Sequence, residues 1–167
     1  MYALYKNTTG MHTDDFITTA NASEQKHSIS AGIGVTDGAY TGAGINLKYR
    51  YEFNEKWGAG FSYTGIASLM PGIIVNSAGG YDAFSVGPFY RISPSLSIYA
   101  LAGIASAEQE EQWITGNTIN HKDRGAMGAL GLQINPWQSV VIDASWEYSR
   151  LLGENNNTWI LGIGYRF

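Results

Sequence analysis

The chain of 167 residues has ten Lys and Arg against fourteen Asp and Glu, no Cys, 21 Gly and four Pro. This length allows one domain. The absence of Cys excludes a disulfide scaffold, a thiol nucleophile and a zinc–thiolate site, and the net charge of −4 argues against a nucleic-acid partner. With 44% apolar and 14% charged residues the chain is not disordered, yet no apolar run reaches the ~18 residues of a membrane-spanning helix. Abundant Gly together with 13% aromatics points to a β architecture whose backbone passes through tight places.

In chain order, residues 1–19 contain no apolar stretch, and Ala20-Asn21-Ala22 then has the small-x-small form of a signal-peptidase site. With His12, Asp14 and Asp15 standing where an apolar core is needed, 1–22 is expected to be an unstructured extension or a non-functional signal remnant, and 23–167 the folded domain. From His27 onward a two-residue period takes over. Residues 27–35 set Ile29, Ala31, Ile33 and Val35 against Ser28, Ser30, Gly32 and Gly34. In 44–53, GINLKYRYEF, Ile45, Leu47, Tyr49, Tyr51 and Phe53 alternate with Gly44, Asn46, Lys48, Arg50 and Glu52. Successive strand side chains face opposite ways, so each such segment is a strand with one apolar and one polar face. The same split recurs in 57–64, 84–92, 140–149 and 159–167, and less cleanly in 96–105, which is apolar on both faces, and 125–134. Eight strands result. Short turns are expected at 54–56, 93–95 and 136–138, a brief connection at 37–41, and longer loops at 69–80, 107–123 and 151–157. Alternating short and long connections fit an up-and-down antiparallel barrel.

The bulky face decides the solvent. An eight-stranded barrel is just wide enough inside for side chains. Ile45, Tyr49, Phe53, Trp57, Phe61, Trp146 and Trp159 cannot all enter it together with their counterparts, whereas Gly, Ser and paired charges can. Apolar-out, polar-in is the pattern of a transmembrane outer-membrane barrel, and closure satisfies every backbone polar group within the bilayer. Tyr51, Phe53, Trp57, Tyr90, Trp137, Tyr165 and Phe167 gather at one end, and Tyr63, Trp146, Tyr148 and Trp159 toward the other, as two interfacial girdles.

The inward positions then hold Lys48, Arg50, Arg91 and Arg166 with Glu52, Asp143 and Glu147, and Gln133 beside them. Buried charges must pair, so a packed polar network rather than a pore is expected. Asp143 and Glu147 are four residues apart on one strand, about 13 Å, too far for a glycosidase pair. The three histidines, His12, His27 and His121, have no Ser obviously placed to complete a triad. No phosphate-binding glycine loop and no metal-ligand spacing occur. Catalytic, cofactor and metal sites are therefore all expected to be absent, and any function should sit in the loops. Trp113 and Ile114, near Glu110 and Glu111, form one candidate contact site, with a headgroup-level Trp113 as the alternative. Met70, Ile73 and Ile74 in LMPGIIV form a second, with strand residues reaching past the bilayer as the alternative.

The blocks GINLKYRYEF, VGPFYRI, LSIYALAGIA, GLQINPW, VVIDASWEYSRL and TWILGIGYRF resemble, in order, the Ail/OmpX/Lom family of enterobacterial outer-membrane proteins across residues 27–167. Ser23 falls where a mature family member would begin. Tyr165 and terminal Phe167 are similar to the C-terminal signal read by the barrel-assembly machinery. The resemblance implies both termini in the periplasm and four loops outside the cell. It also implies outer-membrane lipid and lipopolysaccharide as surroundings, and a monomer that contacts a host surface or serum protein in adhesion, invasion or serum resistance. The family also has prophage-encoded relatives, so a structural barrel with no dedicated ligand is the second reading. A soluble, lipocalin-like barrel is a third; it demands an apolar lumen. The loops carry more acid than base, with Asp37, Glu108, Glu110, Glu111, Asp123 and Glu154 against Lys122, Arg124 and Arg150. That balance disfavours acidic glycans and leaves proteins open.

Overall fold

The computed structural model describes residues 25–37, 41–70, 75–113 and 118–167. The strands are β1 (His27–Asp37), β2 (Gly42–Glu52), β3 (Trp57–Met70), β4 (Val75–Ser93), β5 (Leu96–Trp113), β6 (Thr118–Trp137), β7 (Val140–Leu151) and β8 (Glu154–Arg166). Each pairs antiparallel with its neighbours in sequence, and β1 pairs with β8 to close the barrel. The start of β1 and the C-terminal residue seal one mouth, where His27 N donates to Phe167 O at 2.9 Å and Phe167 N to His27 O at 2.8 Å. Asn54 shapes a turn there: its Oδ1 accepts from Lys56 N and Trp57 N at 2.9 and 2.8 Å.

The register fixes the shape. From Thr64 the cross-strand partners run through Asn46, Gly32, Gly162, Asp143, Gln133 and Ser97 to Arg91. Arg91 stands eight residues along β4 from Ala83, the residue that Thr64 pairs with directly. A stagger of eight over eight strands tilts them by about 35°, so each residue climbs ~2.7 Å along the axis.

Parity then sorts the side chains. In β7 the order from Val141 is buried, exposed, buried, exposed, with Asp143 and Glu147 at 2% and 1% exposure inside, while Ile33, Trp159 and Leu161 stand 66–67% exposed outside. Along β3 the outward residues from Trp57 to Gly65 carry no charge, and the first outward charge beside them is Asp82, partner of Gly65. The eight steps from Trp57 to Gly65 span ~22 Å, close to the ~25 Å band of an outer-membrane barrel. Aromatic rings edge it. At the turn end Trp57 meets Tyr90 at 4.8 Å and His27 stacks on Phe167 at 5.7 Å; at the other end Trp146 lies 6.4 Å from Trp159. There Trp146 Nε1 donates to Asn157 and the Tyr63 and Tyr148 hydroxyls to Asp82 and Asn155, each apolar ring keeping a polar anchor.

Three expected loops are largely strand. Residues 75–80 belong to β4, 107–113 to β5 and 118–123 to β6. The third, at 151–157, shrinks to a tight turn whose residues Leu152 and Gly153 have φ of 55° and 79°, the left-handed pair of a type I′ hairpin. Outside the bilayer both sheet faces meet water, so the hydropathy period fades while backbone pairing continues. Trp137 is likewise the end of β6, and the turn there is at 138–139.

Candidate functional site

Two features stand out as places where function could reside: the lumen and a crest of sheet above the apolar band. The seven charged side chains read as inward occupy the lumen in two groups. Nearest the turns, Glu52 is shared by three guanidinium groups: Arg166 Nη2 at 2.8 Å, Arg50 Nη2 at 3.3 Å, and Arg91. Arg50 Nη1 also donates to Gln133 Oε1 at 3.1 Å, and Arg166 Nε to the carbonyl of Gln25 at 3.1 Å. Higher in the barrel, Lys48 Nζ donates to Asp143 Oδ1 at 2.7 Å, Asn46 Oδ1 at 2.8 Å and Ser145 Oγ at 2.9 Å. Asn46 passes the network on to Ser62 and Thr64, and the Thr64 hydroxyl donates to Glu147 at 2.8 Å.

Two aromatic rings divide these groups: Phe89, whose parity with Arg91 placed it inward, and Tyr99, which the two-faced apolar segment 96–105 left without a direction. Phe89 and Tyr99 stack at 4.4 Å inside the lumen. The Tyr99 hydroxyl donates to both oxygens of Asp143 at 2.9 Å, and the Arg50 guanidinium lies 5.0 Å from the Phe89 centroid. Each ring rests on a glycine of the adjacent strand. A Cβ on Gly131 would stand 2.2 Å from Tyr99 Cζ, and one on Gly60 2.7 Å from Phe89 Cε2. The lumen is also less polar than expected. Toward the far end Ile66, Tyr81, Ala83, Ala105, Ala107, Met127 and Leu151 are all buried in one cluster. Leu151, Ala105 and Ala107 are fully covered, and Thr36, Ser149, Asn156 and Thr158 are buried at the same end, so a mainly apolar stopper lies above the charged layers. No group of three or more His, Asp or Glu arranged for a metal occurs among the described residues.

The crest arises because the strands end at different heights. β1 stops at Asp37, and β7 and β8 meet at the Leu152–Gly153 turn. The β4–β5 ladder continues past Asp82 and Ser106 to Val75 and Trp113, seven residues further, or ~19 Å. β6 follows β5 up to Thr118 opposite Gln112, whereas its pairing with β7 ends at Met127 and Ser149. Asp123 tethers the β7–β8 turn to the base of the crest, its carboxylate accepting from Leu152 N. Above it, residues 118–122 of β6 have no strand beyond them among the described residues. Asn135 N donates toward β5, to Ser95 O. Strand alternation therefore turns the N–H groups of Lys122 and Asn120 to the open side.

Of the candidate contact residues, Glu110 and Glu111 lie on the β5 flank of this crest, with Trp113 at the strand's end and Met70 at the end of β3; Glu110 is exposed. They are strand rather than loop positions. Ile73, Ile74 and Ile114 lie outside the described residues, as do residues 1–22. On the crest's outward face Glu108 pairs with Lys122, both well exposed. Tyr165 and Phe167 stack at the turn end, 6.3 Å apart. What sequence reasoning missed is the crest itself and the inward ring of Tyr99; the signal for Tyr99 was its odd-number parity with Ser97 and Leu101 in a segment apolar on both faces.

The model of the outer membrane protein beta-barrel domain matches residues 16–167. The attachment invasion locus protein of Yersinia pseudotuberculosis is 38% identical over 129 residues, covering 74% of this chain and 71% of that protein. Outer membrane protein X of Escherichia coli is 35% identical over 127 residues, covering 74% of each. The crystal structure of Ail, the attachment invasion locus protein of Yersinia pestis, superposes with a TM-score of 0.81 at 34% identity, covering 86% of this chain and 99% of that one. That protein has also been solved with the heparin analogue sucrose octasulfate.

Proposed function

The chain belongs to the outer membrane protein β-barrel family, and from that premise we propose that it is a cell-surface interaction barrel which captures an extended segment of a host surface or serum protein along its crest. It resides in the outer membrane, with the tight turns and both termini toward the periplasm and the crest toward the outside. The observation that carries this reading is the β6 edge at 118–122, whose outward N–H and C=O groups have no strand partner among the described residues and are a template for an added strand. The charge pattern favours a protein over a polyanion. Glu108 neutralises Lys122, and Asp82 and Glu110 stand among the exposed outward residues of the same sheet. Arg124 and Arg150 are exposed beside them, so the face carries both signs of charge and suits a protein segment of mixed charge better than a polyanion.

The remaining assignments follow from position. The seven lumen charges hold the barrel together, and Tyr165 and Phe167 mark the terminus for assembly. No catalysis is assigned: His121 is exposed on β6 opposite Gln109, with no nucleophile beside it among the described residues.

The test displays residues 23–167 behind a working signal peptide on cells lacking related barrels and measures attachment to epithelium and capture of serum proteins. Asn120→Pro removes one edge N–H without touching the β5 ladder. We expect it to lower binding at least tenfold at equal surface display, and shortening 69–80 and 107–123 to abolish it. Unchanged binding in both variants would sink the edge reading, and no binding by the displayed native chain would favour a structural barrel without a dedicated ligand.

A further inference from the structure

We propose that the turn-end mouth of the barrel binds a small free oxyanion of the phosphate class. Three guanidinium groups there share the single carboxylate of Glu52, which leaves two positive charges uncompensated in a narrow, weakly polarisable space. The next carboxylate up the barrel, Asp143, is already engaged by Lys48 and by the Tyr99 hydroxyl. Excess charge of this kind is costly unless something neutralises it. Water can accept an N–H bond, but it cannot supply the missing charge.

Two donors at the same level have no partner. Arg50 Nε and Ser97 Oγ are both buried and unbonded. Ser97 is the direct cross-strand partner of Arg91 on one side and of Gln133 on the other, and Gln133 is the residue that Arg50 Nη1 holds. An unpaired hydroxyl and an unpaired guanidinium edge therefore belong to one layer, with the Arg91 and Arg166 head groups beside them. An oxyanion presents several acceptors at once and matches the planar fork of Arg, which a spherical halide does not. The layer lies just inside the mouth, with side-chain exposure falling from 15% at Arg91 through 9% at Arg166 to 3% at Arg50.

The probe is inorganic phosphate, titrated into the refolded barrel in a phosphate-free sugar detergent, with chloride holding ionic strength constant. The readouts are calorimetry and the NMR signals of the arginine Nε–Hε groups. We expect one saturable site, with the Arg50 Nε–Hε signal shifting along the same isotherm as the heat. Arg91→Gln, which leaves Glu52 two partners, should weaken binding tenfold or more. Glu52→Gln, which raises the local charge by one, should tighten it severalfold. The absence of a saturable shift at Arg50 in the native chain would overturn the proposal, as would unchanged affinity in a folded Arg91→Gln barrel. The native titration decides the matter even where a variant fails to fold.

Discussion

Lys48 donates to Asn46 on its own strand and to Asp143 and Ser145 on β7, and Asp143 accepts from both Lys48 and Tyr99. Removing one partner strands the other charge in a buried site, at a cost of ~3–5 kcal/mol. Lys48→Met should therefore lower the urea midpoint of unfolding in micelles strongly, and so should Asp143→Leu, while the double variant should recover most of the loss. Additive losses in that cycle would show that the pair contributes nothing specific. That these charges face inward was legible, because parity alone assigns a strand side chain to one face. Which charge meets which was not. Lys48 reaches Asp143 across 95 positions of sequence, and that meeting depends on a stagger no local pattern encodes. Tyr99 was hidden for a different reason: between residues 96 and 105 both faces are apolar, so the period gives no direction.

Strand ends are set by hydrogen bonding, whereas the legible signal is set by solvent. Within the apolar band the two agree, and there the expected strands and observed ones coincide. Above the band they part, and β4, β5 and β6 run on through sequence that is polar or mixed on both faces. The β7–β8 turn shows the same error. Polar residues 154–157 look like a loop, yet they pair directly with residues 148–151, and the connection is only Leu152 and Gly153. Leu152 adopts a positive φ that a non-Gly residue seldom takes, held by the Asp123 carboxylate on its amide. Asp123→Ala should release that amide. A hydrogen bond to a charged group is worth ~1.5–3 kcal/mol, so Leu152 exchange protection should fall at least tenfold while amides within the apolar band stay protected. Protection unchanged at Leu152 would mean that the turn is held by its packing alone.

At the scale of the whole molecule the barrel has unlike ends: charged side chains near the turns and an apolar stopper of Ile66, Met127, Leu151 and their neighbours at the other end. Closure, strand number and the lipid-facing surface were all legible in the sequence; this axial polarity was not, because small residues such as Ala105 and Ala107 read the same on either face. The stopper predicts that the native chain gives no discrete conductance steps in planar bilayers, and that replacing Ile66, Met127 and Leu151 together with serine produces them. Steps in the native chain would mean that the apolar layer does not seal. The crest, finally, breaks the rotational sameness of a barrel. A cylinder with a level rim looks alike from every bearing and spins unnoticed about the membrane normal. Here the strands near β4–β6 stand tall and the opposite side is low, so the molecule has a front and a back. A fibrous partner lying along the front would stop the spin, and neighbouring copies on the same fibre would all be turned to face it.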